Sequence, residues 1–421
     1  MGRGAKYKQL SRSVEDAFAT LPDRYLGGNE ELRQTLQIRL SDLGRSWVVE
    51  LRGSRCRVRT SVRERPEVVI GTDAATWLEL RGGQLSGLDA FRARRLWARG
   101  DLDVALGFEG SFTLPGDRAP LLRIHDVRVP GARISCLTAG DGPRRAILIH
   151  GLGGAKSSFY ETVAALAVDH TVHAIDLPGF GSSSKPRGPY NPEFFARHVL
   201  ALMDALAIDR ADLVGNSMGG RVALEVGLRA PDRVRTLSLL APSMAFRRGR
   251  QLVPLARVLR PELAVLPPIL HPRLVRERFW SLIARPERVD PALGDIAVDE
   301  FLRTHGSPAA RVAFYAAARQ IYLEQPLGPA GFWTRIEELR PPALFVWGEQ
   351  DRLVPARFAR HVAAALPGAA QVILPECGHV PQIELPEQTH ALLRDFIAEP
   401  ALAPPADARL RAVAARARPA A

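Results

Sequence analysis

The sequence predicts an α/β fold, a mostly parallel sheet with helices on both faces and a helical cap, preceded by a small α+β domain. Three observations predict it. From Ala146 to Leu374, short unbroken apolar runs alternate with helical patterns. From Thr35 to Thr60 the apolar residues instead recur at every second position. Between Pro242 and Glu338 both patterns stop, and the chain becomes rich in Leu, Pro and Arg.

The early region comes first in the chain. Leu36, Ile38 and Leu40, then Trp47, Val49 and Leu51, lie on one face with polar residues between, which predicts an antiparallel meander. Thr72 is expected to cap a helix carrying Trp77, Leu78 and Leu80, stopped by Gly82-Gly83. A second helix is expected around Leu88–Trp97, followed by an apolar stretch at Leu102–Leu114. Past Leu114-Pro115-Gly116 the strands read Ala146–Ile149, Thr171–Ile175, Asp212–Val214, Val234–Leu240, Ala343–Trp347 and Val372–Leu374. Continuous apolar strands are buried on both faces, as in a parallel sheet. Ser158-Phe159-Tyr160-Glu161 reads as a capping box, and Pro386 as the opening of a last helix with Leu392, Leu393, Phe396 and Ile397 inward. The domains are therefore expected at 1–115, 116–399 with the cap at about 242–338, and a flexible tail at 400–421.

Composition narrows the function classes. The chain has 421 residues, 46% hydrophobic and 24% charged, enough for a large core. The net charge of +12 is nearly all arginine and is scattered: residues 1–115 hold 19 Lys+Arg against 15 Asp+Glu. No basic stripe interleaves with aromatics, so nucleic acid is not an expected partner. Weak attraction toward anionic head groups is an open reading, and with it peripheral membrane contact. No apolar run is long enough to span a bilayer, and the basic start, Met1 to Leu10, leads into no apolar segment of a secretion signal. Cys56, Cys136 and Cys377 are too dispersed for a disulfide framework or a metal site, so no metal or cofactor is expected and a reducing cytoplasm is the expected compartment.

The chemistry concentrates in a few loops. Gly215-Asn216-Ser217-Met218-Gly219 lies between a strand and a helix, where a sharp turn exposes a serine hydroxyl and demands small neighbours. A serine hydroxyl needs a base that is itself oriented by an acid. Asp351 follows the strand Ala343–Trp347 and His379 follows Val372–Leu374, so both stand at carboxyl ends of strands, where such sheets build sites. Glu349 and Glu376 are nearby alternatives to Asp351. Of ten histidines, His379 alone sits in a glycine loop after a late strand; His361 and His390 read as surface residues of helices. In His150-Gly151-Leu152-Gly153-Gly154, the Leu152 amide is expected to form an oxyanion hole with the Met218 amide. His150 reads as a brace for that loop, and Asp176-Leu177-Pro178-Gly179-Phe180-Gly181 as a structural turn.

With these motifs in order, residues from about 120 to 398 resemble the α/β-hydrolase superfamily. The resemblance implies Ser217, Asp351 and His379 as its triad, and points to the lipase and esterase branches. The elbow Gly215–Gly220 is also similar to that of meta-cleavage-product hydrolases, which cut carbon–carbon bonds. Those usually carry Pro in the oxyanion loop and Trp soon after the histidine, whereas this chain has Gly153-Gly154-Ala155 and Val380-Pro381-Gln382. Haloalkane dehalogenases and epoxide hydrolases place Asp where Ser217 stands. Residues from roughly Val14 to Leu114 resemble sterol-carrier-protein-like lipid-binding domains, through the meander, Val69-Ile70-Gly71-Thr72, Leu80-x-Gly82-Gly83 and Ala98–Leu102. That resemblance implies an apolar ligand, and a tethered carrier would raise local substrate to about millimolar. The expected function is a serine hydrolase of acyl-lipid or other apolar esters. The alternatives are a carbon–carbon bond hydrolase, and a lipid-binding or transfer protein on a hydrolase scaffold.

Overall fold

The computed structural model describes residues 3–28, 30, 32–61, 65–116, 122–245, 272–289 and 291–400. Packing divides the chain into two compact units, residues 1–125 with 137–140, and residues 126–136 with 141–421. Of the tail expected at 400–421 all but residue 400, and of the cap expected at about 242–338 residues 246–271 and 290, lie outside the described residues.

The first unit is built on five strands, β1 (Arg33–Leu40), β2 (Arg45–Arg52), β3 (Arg55–Arg59), β4 (Val68–Thr72) and β5 (Leu96–Gly100), in the order β3-β2-β1-β4-β5. The meander forms as expected, with β1–β2 and β2–β3 antiparallel, while β1 pairs parallel with β4. Helices α1 (Arg3–Ala19), α2 (Ala74–Gly82), α3 (Gly87–Arg92) and α4 (Leu102–Gly110) accompany the sheet. Leu36, Ile38, Trp47, Val49, Trp77 and Phe108 share one core with Val14 and Phe18. Two expectations need correction. The α2 cap is Asp73, whose carboxylate accepts the Thr76 amide at 2.8 Å, while Thr72 ends β4. The helix expected to reach Trp97 ends at Arg92, and Leu96–Gly100 is an edge strand antiparallel to β4. Gly83 closes α2 at φ 71, a conformation that glycine adopts without steric cost.

A second sheet has eight strands. Its strands are β6 (Leu122–Val129), β7 (Ala132–Ala139), β8 (Arg144–Ile149), β9 (His170–Ile175), β10 (Ala211–Asn216), β11 (Val234–Leu240), β12 (Ala343–Gly348) and β13 (Ala370–Leu374). The order is β13-β12-β11-β10-β8-β9-β7-β6, and the six strands expected from sequence pair in parallel. Helices α5 (Tyr160–Leu166), α6 (Pro192–Ala205) and α7 (Met218–Arg229) follow β8, β9 and β10 in the chain. Pro386 opens the helix Pro386–Ala398, which buries Leu392, Leu393, Phe396 and Ile397 as the pattern requires. The capping box does not form. Ser158 Oγ donates to the Ala155 carbonyl at 2.8 Å within a 3₁₀ turn, Lys156–Phe159, and α5 has no side-chain cap. Between β11 and β12, the described residues are helical at Pro272–Trp280, Pro291–His305, Pro308–Leu323 and Phe332–Arg335.

Candidate active site

The end of β10 places Ser217. Every residue of Ala211–Asn216 is buried, and the chain then turns directly into α7 with Ser217 at φ 53, ψ −117. A non-glycine residue held at positive φ stores strain, and the surroundings must over-determine it. They do so through hydrogen bonds and close packing. The Ser217 amide donates to the Leu240 carbonyl at 2.9 Å, and its carbonyl accepts the Arg221 and Ser243 amides at 3.1 and 2.9 Å. A side chain on Gly215 would stand 2.4 Å from the Gly219 carbonyl oxygen, and one on Gly219 only 2.0 Å from that of Ile149. Small residues are therefore obligatory on both sides of the serine.

Asp351 and His379 come together at the ends of β12 and β13. His379 Nδ1 lies 2.8 Å from Asp351 Oδ2, and both side chains are buried. Asp351 Oδ1 accepts the Leu353 and Val354 amides at 2.7 and 2.9 Å, which fixes the plane of the carboxylate. The two loops are stitched by the Gln350 amide on the Cys377 carbonyl at 2.9 Å. Glu376, weighed as an alternative acid, is exposed and paired with Arg285 and Arg288, whose hydrogen bonds hold its carboxyl below the usual range. Asn216, the residue before Ser217, donates through Nδ2 to the His379 carbonyl at 3.1 Å and to the Leu240 carbonyl at 3.0 Å. The serine strand is thus tied to the histidine loop by a side chain to which the sequence reading gave no role.

The loop after β8 forms a tight turn, with the Gly154 amide on the Gly151 carbonyl at 3.1 Å and Gly153 at φ 75. Leu152 sits inside that turn, and Met218 opens α7, where an amide has no intrahelical acceptor. A side chain on Gly151 would lie 3.2 Å from Ser217 Cβ, so this loop runs beside the serine. His150 braces it, as expected: Nδ1 lies 2.7 Å from the Gly151 carbonyl, and Nε2 accepts the Leu177 amide at 3.0 Å. Burial lowers its pKa, so it stays neutral in this role. The turn at Asp176 contains more than the motif suggested. Asp176 and Lys156 form a fully buried ion pair at 2.8 Å, and the same carboxylate accepts the Lys156 and Ser182 amides.

Glu384 was missed altogether. Its buried carboxylate accepts the Gly378 and Val380 amides, on either side of His379, at 2.8 and 3.1 Å. It also accepts the Ala284 amide of the cap at 2.7 Å, while the His379 amide donates to the cap's Leu282 carbonyl at 2.9 Å. Burial raises its pKa against these bonds, and Asp351 pushes the same way. The only signal in the sequence is an acidic residue in a short buried helix, Pro381–Glu384. The helices between β11 and β12 also approach the turn after β8, where a side chain on Gly153 would stand 3.0 Å from the rings of Phe301 and Phe314. His390, expected at the surface, is instead buried with Nε2 3.0 Å from Thr162 Oγ1.

Comparison with known proteins agrees with this architecture. A profile described as alpha/beta hydrolase fold matches residues 147–386, and one described as SCP-2 sterol transfer family matches residues 23–113. The chain belongs to the α/β-hydrolase fold family, fused to an N-terminal domain of the SCP-2 sterol transfer family. It is 32% identical over 266 residues to a dihydrolipoyllysine-residue acetyltransferase component of an acetoin cleaving system from Pseudomonas putida. That match covers 61% of this chain and 64% of the relative. It is 29% identical to a 2-hydroxymuconate semialdehyde hydrolase of Pseudomonas putida, over 65% of this chain and 94% of that one. Among solved structures, a membrane phospholipase A described as a bacterial virulence factor matches with TM-score 0.56 and 25% identity, over 78% of this chain and 96% of its own. Among the described residues, no helix is long and apolar enough to cross a membrane.

Proposed function

We propose that this protein is a serine hydrolase of carboxylic esters, acting on acyl-lipid or similarly apolar substrates through an acyl-enzyme. The observation that carries the reading is the buried Asp351–His379 hydrogen bond beside a serine held at positive φ. With Nδ1–H donated to Asp351, the other imidazole nitrogen, Nε2, carries the lone pair of a general base. It takes the Ser217 proton as Oγ attacks the ester carbonyl, and returns it to the leaving alcohol. The Leu152 and Met218 amides receive the oxyanion, worth roughly 10²–10³ in rate per donor. Water, deprotonated by His379, then releases the acid. The N-terminal domain is read as a holder of apolar molecules, and peripheral membrane contact as a consequence of that chemistry. The membrane phospholipase A among the structural neighbours supports the ester reading.

A carbon–carbon bond hydrolase is the second reading, and the 2-hydroxymuconate semialdehyde hydrolase among the relatives favours it. A panel of p-nitrophenyl esters of rising chain length, run beside an aromatic ring-cleavage product, separates the two. Ser217→Ala should cost on the order of 10⁶ in kcat and abolish labelling by a fluorophosphonate. Labelling that survives the substitution would remove Ser217 from the mechanism, and turnover of the ring-cleavage product alone would displace the ester reading.

A further inference from the structure

The interior of the N-terminal unit ends in a buried cation with two unpartnered nitrogens. Trp47 stacks on Phe18 at 4.3 Å, Phe18 on Trp77 at 4.5 Å, and Phe108 meets Phe112 edge-on at 5.0 Å, all five rings being buried. Arg81 lies at the end of this column, its guanidinium 4.9 Å from the Phe112 ring and 6.0 Å from that of Trp77. The side chain is only 4% exposed. Yet Arg81 Nε and Nη2 have no hydrogen-bond partner, and neither has Trp77 Nε1.

The neighbours compensate it only in part. Among the described residues no carboxylate lies within ion-pairing distance of Arg81. Glu109 attracts Arg81 from beyond ion-pairing distance, but its carboxyl accepts the Gly87 amide at 2.6 Å, and burial, outweighing both, pushes its pKa up to about 7. Arg24 repels Arg81, and its own guanidinium is taken up by the Thr113 and Arg81 carbonyls at 2.9 and 3.1 Å. Cys56, raised to about 11 by burial, stays a neutral thiol. Burial and the Arg24 charge bring Arg81 down to about 10, so it remains a cation at neutral pH. A buried cation with two adjacent free donors is costly until a matching anion meets it, and the fork of Nε and Nη2 fits a pair of oxygens.

We propose that Arg81 and Trp77 Nε1 are the head-group site for an apolar carboxylate, so that the N-terminal unit holds the acid released by ester cleavage in preference to the ester. The inference rests on the ester reading above. There, ester and water give alcohol and a carboxylic acid, which ionises at neutral pH by losing one proton to solvent. The ester is neutral and would leave Arg81 uncompensated, whereas the carboxylate answers its charge and both free nitrogens. The aromatic column suits the apolar tail. The unit would then relieve product inhibition rather than deliver substrate. An alkyl phosphate offers the same paired oxygens and serves as a control.

The test uses full-length Ser217→Ala protein, which cannot turn over an ester. It is titrated with dodecanoate, methyl dodecanoate, dodecanol and dodecyl phosphate, below their micelle concentrations, with and without Arg81→Met. Dodecanoate should bind at least about 30-fold more tightly than the two neutral ligands, and Arg81→Met should narrow that preference to roughly threefold or less. Neutral-ligand affinity retained in Arg81→Met shows that the unit is still folded. Should that affinity vanish too, Arg81→Lys, which keeps the charge, must restore neutral binding and much of the acid preference, or the assignment falls. An acid preference that survives Arg81→Met also overturns it. Equal binding of acid and ester overturns the product preference while leaving the holder of apolar molecules intact. Binding of none of the four sinks both, and dodecyl phosphate binding more tightly than dodecanoate breaks the link to ester cleavage. Failure of the ester reading itself shows separately, in the fluorophosphonate labelling.

Discussion

Replacing Asp351 by asparagine tests whether its carboxylate orients the base. The structure fixes how the amide must sit. In the wild type, Oδ1 is committed to the Leu353 and Val354 amides at 2.7 and 2.9 Å, and Oδ2 to His379 Nδ1 at 2.8 Å. The asparagine side chain has one oxygen, and the two backbone donors claim it. The amide nitrogen is then left facing His379, donor against donor. The imidazole answers by moving its proton to Nε2, the nitrogen needed as base. The rate should fall by about 10⁴, near 5 kcal/mol of barrier. The fold should be little affected, because two of the three hydrogen bonds survive. Steady-state kcat on a soluble p-nitrophenyl ester, with a thermal melt alongside, measures both. Glu376→Gln is the control; it removes an exposed charge already engaged by two arginines and should change kcat by less than about threefold. If Asp351→Asn stays within tenfold of wild type, or Glu376→Gln is the crippling change, the assignment of the acid is wrong.

The elbow, an acid-sensitive network and the cap give three more expectations. Gly219→Ala would press a methyl group against the Ile149 carbonyl and should cost about 3 kcal/mol or more in urea unfolding, whereas Gly368→Ala, with nothing within 4 Å, should be near neutral; equal effects would contradict the packing described. Burial alone would raise the pKa of Glu225, but Arg335 and Arg221 outweigh it and bring the folded value to about 2. A pKa lowered on folding gives stability that is full above the ordinary value of 4.5 and is lost as pH falls toward 2. The melting-temperature gap between wild type and Glu225→Gln should therefore shrink as pH falls below about 4.5, and a gap that holds constant down to about pH 3 would refute this. Phe301→Ala and Phe314→Ala open the cap beside Gly153, so they should shift chain-length preference across the ester panel while leaving acetate turnover within about threefold; an unchanged preference removes the cap from selectivity.

The six parallel strands were legible because a strand buried on both faces leaves an unbroken apolar run, and Val234–Leu240 has both its ends where the pattern put them. Strands on sheet edges were not. Leu96–Gly100 carries an exposed Trp97 and Arg99 at an edge, so its alternation merged with the preceding helix. The hairpin β6–β7 went unread for the same reason, its first strand being half polar at the far edge of the sheet. Local signals failed where another hydrogen-bond partner, distant or near, intervened. His390 looked like a helix-surface residue because Thr162, which meets its ring, lies 228 positions away. Ser158 had the spacing of a cap, yet its hydroxyl took the nearer Ala155 carbonyl. The residues at 217, 351 and 379 were readable since each follows a recognisable strand, and their chemistry restricts the residue type.

What holds those three loops in register is a different set of residues, recruited for hydrogen-bonding capacity rather than reactivity. Asn216 spans from the elbow to the His379 carbonyl, and Glu384 gathers both amides that flank the histidine. Neither function is visible in a motif, because each depends on where the backbone of another loop passes. Glu384 also accepts from Ala284, and Leu282 takes the His379 amide, so the segment at 282–284 is bonded directly to the loop that carries His379. A side chain on Gly378 would stand 2.3 Å from the Leu282 carbonyl oxygen, so the two segments are in close backbone contact. The segment at 282–284 is therefore part of the framework around His379. A change at residues 282–284 is expected to reach the loop of His379 through these two hydrogen bonds, and on the proposed function it should alter kcat as well as chain-length preference.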